Sequence, residues 1–219
     1  MDSKLISEVG GNTTGHFLSS DFGTGYFADN PGLYTLSADV FLNSSLATSK
    51  VWQIGFNNST NSSDGANRNL FSSDTPLAGS PAIELNANGR VRVKAVAGIA
   101  TAVLTTADGL YPVGNWYNLK LVLDTTLTNW TFDAYVDNVP LDLNGIVSGN
   151  TYTYATNPTI RYAAVSSNIT SSNNSSGASY LDNVTLTYTA NAVPLPPAVL
   201  AGAGLLGMLA FSRRKPREA

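Results

Sequence analysis

The chain of 219 residues contains no cysteine, so disulfides, thiol chemistry and Cys-ligated zinc are excluded. Charged residues are only 12% of the total, about half the usual share, so uncharged polar groups must cover the surface. The net charge of -3 and the scatter of Lys and Arg through the body exclude a nucleic-acid footprint, which needs clustered basic residues. His16 is the one histidine, which leaves almost no material for His-based metal sites or triads and reads as a surface loop residue. Glutamate occurs only at Glu8, Glu84 and Glu218. Met1–Glu8 shows no apolar run of the kind an export signal carries. If the protein is exported, the expectation is that its true start lies upstream.

What is present is alternation. Tyr34, Leu36, Ala38, Val40 and Leu42 share one face, as do Trp52, Ile54 and Phe56. Ala82 to Leu85 and Val91 to Val96 flank the turn Asn86-Ala87-Asn88-Gly89, with Arg90, Arg92 and Lys94 facing away from the apolar phase. Leu119, Leu121 and Leu123 alternate, and so do Trp130, Phe132, Ala134 and Val136. A period of two nearly everywhere, broken by Gly/Asn/Ser loops at 57–67 and 167–177, predicts an all-β sandwich or barrel. In residues 1–30, Phe17-Leu18 and Gly25-Tyr26-Phe27 are candidate edge strands.

Two stretches carry family resemblances. Asn115-Trp116-Tyr117 to Asp124, followed by Phe132 to Pro140 with its Tyr135-Val136-Asp137-Asn138 turn, resembles the paired strands of concanavalin A-like (laminin G-like) jelly rolls. Asn138 stands where the usual Gly would be, and Asn also tolerates positive φ. Tyr180-Leu181-Asp182-Asn183-Val184-Thr185-Leu186 is similar to the last strand of such bacterial modules. The resemblance implies a jelly-roll β-sandwich and leaves function open, because the fold hosts both lectins and glycanases.

The C-terminal stretch is similar to a PEP-CTERM sorting signal. Val193, Pro194, Leu195, Pro196 and Pro197 form the proline motif, with Leu195 in place of the family's Glu. Ala198 to Phe211 is an unbroken small and apolar run, and Arg213, Arg214 and Lys215 form the basic stop. The resemblance implies a substrate of an exosortase-type protease in a Gram-negative bacterium that makes exopolysaccharide. Fourteen apolar residues would span roughly 21 Å as a helix, short for a core of about 30 Å, which suits a segment destined for cleavage. The positive-inside rule keeps the basic end cytoplasmic and puts the body on the other side. The alternative reading of 198–211 is a C-terminal core helix.

The expected organisation is an N-terminal segment (1–30) holding candidate first strands and a β-sandwich (31–189). A linker with the proline motif (190–197), a hydrophobic transmembrane helix (198–212) and a basic cytoplasmic tail (213–219) follow. The expected location is the cell envelope, inserted in the inner membrane before processing and then at the outer surface or outside the cell.

Within the body, no Glu-x-Asp-x-x-Glu motif supplies the carboxylate pair of jelly-roll glucanases. Glu84, alone between Ile83 and Leu85, reads as a solvent-facing strand residue, and Asp133 and Asp137 as a solvated polar face. The expectation is therefore a non-catalytic exported protein; the alternatives are a lectin-like carbohydrate-binding protein and, behind it, a glycan-active enzyme. Asp182 falls in the apolar phase of Tyr180, Val184 and Leu186, and a buried carboxylate needs a partner. The jelly-roll resemblance implies a structural calcium there; the alternatives are hydrogen bonds from a loop or a bulge that turns Asp182 outward. Tyr111, Tyr152, Tyr154 and Tyr162 are the candidate sugar-stacking aromatics, against the commoner use of such rings as core. The expected partners are the membrane, the protease and polysaccharide.

Overall fold

The alternating runs become strands in a computed structural model of the full chain. The structure describes residues 3–8, 13–42, 50–57, 81–94, 104–144, 150–170 and 180–190. Thirteen strands occur among them: β1 Ser3–Glu8, β2 Thr13–Asp21, β3 Gly32–Leu42, β4 Lys50–Asn57, β5 Ala82–Asn86, β6 Val91–Lys94, β7 Leu104–Thr105, β8 Asn115–Asp124, β9 Thr131–Val136, β10 Val139–Pro140, β11 Tyr152–Thr153, β12 Tyr162–Thr170 and β13 Leu181–Ala190. They form two antiparallel sheets. One has seven strands in the order β1-β2-β12-β4-β5-β6-β7; the other runs β10-β9-β8-β3-β13, with β11 also paired to β9.

The apolar phases meet between the sheets. Leu36, Val40, Leu119, Leu121, Phe132 and Val136 from one sheet pack against Trp52, Ile54, Phe56, Ile83, Leu85 and Val93 from the other, all buried. Burying an aliphatic or aromatic side chain contributes about 1.5–3 kcal/mol, so this shared core is the main stabilising term. The expected all-β sandwich is thus the observed one. β1 and β2 join the seven-stranded sheet, so residues 1–30 do supply its first strands, and β2 is paired on both sides.

Two local expectations change. Gly25-Tyr26-Phe27 is not an edge strand. Tyr26–Asp29 forms a single helical turn, α1, entered through Gly25 at φ 85. It drives Phe27 into an aromatic cluster with Tyr34 and Phe56, at 4.6 and 5.8 Å between ring centroids. The second change concerns the face of the seven-stranded sheet turned away from the core. Gln53, Asn57, Glu84, Asn86, Lys94 and Ser166 are buried there, so these strands are not wet on one side.

The hairpin turns follow their residues. Asp137 and Asn138 take φ 51 and 63, the pair of positive values that a tight two-residue turn between Val136 and Val139 requires. Gly89 has φ +72 and sits so close to the Tyr111 carbonyl that a Cβ would come within 2.1 Å of its oxygen. The proline motif Val193–Pro197, the apolar run Ala198–Phe211 and the basic cluster Arg213–Lys215 lie outside the described residues. Among the described residues no helix is long and apolar enough to cross a membrane.

Candidate functional site

The outer face of the sheet that holds β3, β8 and β13 is built in rows, because residues paired across antiparallel strands project from the same side. The first row is aromatic. Phe41 pairs with Trp116 across β3 and β8, at 5.5 Å between ring centroids, and lies 5.8 Å from the ring of Tyr180. Trp116 is 49% exposed and Tyr180 55% exposed. The outer rings tilt by 55° and 57° to Phe41, so the trio is a furrowed ledge. Phe41 N–H donates to the Tyr180 carbonyl, and the indole N–H of buried Trp52 donates to the Phe41 carbonyl, which fixes the ledge to the sheet.

The second row is polar. Asp182 pairs with Asp39, and Asp39 with Asn118. Asn118 Nδ2 donates to Asp39 Oδ1 and Asn183 Nδ2 to Asp39 Oδ2, both at 2.7 Å. A carboxylate only accepts, so these bonds set both amide orientations. The Asn118 N–H donates to Asp137 Oδ1, and the Asn183 N–H to Asp182 Oδ1. The third row joins Thr185 and Ser37 through their hydroxyls at 2.8 Å. Lys120 donates to Asn138 Oδ1 and stands 4.4 Å over the Tyr135 ring.

Asp182 is exposed, not in the apolar phase. Register shifts between Asp182 and Thr185, where one extra residue is inserted and Asn183 takes φ 49. A bulge of one residue reverses the facing of everything before it. Tyr180 and Asp182 therefore point outward, while Leu186 packs inward against the core. The bulge is what creates the site: it brings Tyr180 beside Phe41 and Asn183 onto Asp39.

This donor set does not fit calcium, which wants several free oxygen ligands. Both Asp39 oxygens accept amide protons and Asp182 Oδ1 accepts a backbone one. Among the described residues no group of three or more His, Asp or Glu side chains is placed to hold a metal ion.

The tyrosines singled out from their loop positions are not the exposed platform. Tyr154 and Tyr162 are each only 4% exposed, and Tyr111 and Tyr152 pack against the core. Burial pushes the phenols of Tyr111, Tyr152 and Tyr154 above their ordinary value. The ledge residues were missed because Phe41 and Trp116 read as ordinary strand positions and Tyr180 as core phase. The available signal was Trp116 itself, out of phase with Tyr117, Leu119 and Leu121.

A second polar constellation is closed off. Glu84 is fully buried, contrary to its reading as solvent-facing. It lies in a row across β12, β4, β5 and β6: Ser166 Oγ donates to Gln53 Oε1, Gln53 Nε2 to Glu84 Oε2 at 2.7 Å, and Arg92 Nη1 to Glu84 Oε1 at 3.2 Å. The physical reason is that the sheet is covered on both faces, so this carboxylate must be paired.

No protein-family profile matches the chain, and no curated protein matches it by sequence. Solved structures do match in fold. The carbohydrate recognition domain of Emp46p in its potassium-bound form superposes with a TM-score of 0.51 at 9% identity, covering 88% of each chain. Lectin II from Ulex europaeus superposes with a TM-score of 0.50 at 10% identity, covering 86% of this chain and 87% of that one. An endo-1,3-beta-glucanase from Streptomyces sioyaensis aligns at a TM-score of 0.43 and 11% identity over 75% of this chain and 63% of that one. At these identities the first two superpositions establish a shared two-sheet β-sandwich fold and nothing finer.

Proposed function

We propose that this protein is a non-catalytic, lectin-like carbohydrate-binding module, and that its binding surface is the outer face carrying Phe41, Trp116 and Tyr180. The observation that carries this reading is the exposed aromatic ledge set directly beside a hydrogen-bonding row. Sugars offer C–H faces that stack on rings and hydroxyls that both donate and accept. The row supplies the second need through Asp182 and the amides of Asn118 and Asn183. The shared fold with lectin structures supports the same reading. Hydrolysis is disfavoured because both Asp39 oxygens are engaged by amides and Asp182 stands open to water, whereas an acid–base pair needs a sheltered cleft.

Titration of the full-length protein with neutral and amino-sugar oligosaccharides, followed by tryptophan fluorescence, tests this. Trp52 and Trp130 are buried, so a ligand on the ledge reports through Trp116. Trp116→Ala is expected to weaken binding about tenfold or more, or ~1.4 kcal/mol. The variant has lost the fluorescent reporter, so its affinity is read by titration calorimetry; binding that survives there at full strength puts the site elsewhere, and no binding of any glycan to the unmodified protein removes the carbohydrate reading.

Delivery is a separate proposal, resting on the order of proline motif, apolar run and basic cluster at 193–215. The tail inserts in the inner membrane and is processed by an exosortase-type protease, which leaves the sandwich in the envelope or polysaccharide matrix. Fractionation of intact protein and of a 193–219 deletion, in hosts with and without exosortase, tests it. A location and mass of the intact protein that are the same with and without exosortase, together with an unchanged location of the deletion variant, would refute the sorting role.

A further inference from the structure

We infer that the ledge selects amine-bearing glycans, unacetylated hexosamine strands above all, over neutral ones, and rejects uronate polymers. This rests on the carbohydrate-binding reading and adds the charge class of the ligand. Strands β3, β8, β9 and β13, with the turn after β9, place Asp39, Asp124, Asp133, Asp137 and Asp182 on this face. Lys120 is the one basic residue those strands contain. A single face thus holds a larger net negative charge than the whole chain, which carries -3.

The ligand chemistry follows from what lies side by side. An ammonium group is attracted to the faces of Trp and Tyr rings and to carboxylates, and here both border one shallow furrow. Tyr180 and Asp182 leave the same strand on the same side, on either side of Leu181, and Trp116 stands two strands away, about 10 Å across the sheet. That span gives a sugar ring room to lie on the aromatics while its amine reaches the Asp182 carboxylate. Asp182 Oδ1 is held by the Asn183 N–H, and Oδ2 has no partner among the described residues. Both Asp39 oxygens already accept amide protons, so Asp182 is the carboxylate beside the ledge with an oxygen open to a cation. A uronate would bring its charge against these same aspartates, within a screening length of about 8 Å.

The test compares chitosan oligomers, cello-oligosaccharides of equal length and oligo-alginate. Each is titrated by calorimetry into the full-length protein at a mildly acidic pH that keeps the sugar amines protonated. The chitosan oligomers are expected to bind about fivefold tighter than the cello-oligosaccharides, with alginate weakest. Asp182→Asn, which keeps the acceptor for Asn183, is expected to bring the amine-to-neutral ratio toward one. Trp116→Ala leaves net charge unchanged and is expected to lose the chitosan signal, which separates the ledge from general attraction to an acidic protein. Equal binding of the amine and neutral oligomers, or alginate binding best, overturns the selectivity and leaves the carbohydrate reading standing. Chitosan binding that persists in a folded Trp116→Ala variant also overturns it. Failure of all three glycans to bind overturns both.

Discussion

Glu84→Ala is expected to lower stability far more than an exposed strand glutamate would. The side chain is fully buried and accepts bonds from Gln53 at 2.7 Å and Arg92 at 3.2 Å. Its removal takes an acceptor from a buried amide and the counter-charge from a guanidinium that is only 21% exposed. Gln53 can turn its amide over only by giving up the bond from Ser166. Removing one partner of a buried pair costs about 3–5 kcal/mol, and the partial exposure of Arg92 places the expectation near 3 kcal/mol. In a domain of this size that is a fall in Tm of roughly 6–12 °C. Glu84→Gln keeps one acceptor oxygen and the volume, and should cost about 1–2 kcal/mol. The assay is thermal unfolding by circular dichroism at fixed pH and salt, with Arg92→Gln and the double variant completing a cycle. A Glu84→Ala shift under about 2 °C, or additivity in the cycle, would refute the buried-row account.

Two buried tyrosines should respond oppositely to loss of the hydroxyl. Tyr34 O–H donates to the Asn30 carbonyl, so Tyr34→Phe is expected to lose about 1 kcal/mol in chemical denaturation. Tyr154 O–H has no partner among the described residues, so Tyr154→Phe should be neutral or raise stability by up to ~1 kcal/mol; equal losses would contradict the assignment. Burial raises the Tyr154 phenol above 10.0, which makes its contribution present below that pH and lost as pH rises through the folded value. An alkaline melt should therefore lose stability above pH 10.0, and less steeply in Tyr154→Phe. Gly89→Ala is expected to cost about 2 kcal/mol or more from its positive φ and the Tyr111 carbonyl, read by the same melts. The hydrogen bond from Arg161 lowers the Asp21 carboxyl below 3.8; that small contribution is present above 3.8 and lost as pH falls through the lowered value. Asp21→Asn should lower Tm slightly near neutral pH and not in strong acid.

Much of the fold could be read from local pattern. β3, β8 and β9 each bury one side against a single core, so strict alternation in Tyr34–Leu42, Tyr117–Leu123 and Phe132–Val136 reported their facing correctly. Turn chemistry did the same at Asp137-Asn138 and at Gly89, because positive φ is a property of one or two residues. The strands of the other sheet were harder. β4 and β5 are buried on both faces, so Glu84 and Gln53 carried no signal that distinguished a wet face from a covered one.

What the sequence determined by itself was the class of structure and the absence of certain chemistry. Alternation with a period of two, no cysteine and a single histidine limit the chain to an all-β body without disulfides or His-rich metal sites. The tail pattern at 193–215 likewise is a property of contiguous residues. The site was decided by tertiary structure alone. Phe41, Trp116 and Tyr180 are far apart in the chain and meet only because β3 lies between β8 and β13. A bulge at Asn183 then reverses the facing of Asp182 and Tyr180, and a register shift of one residue leaves no trace in a hydrophobic pattern read along one strand.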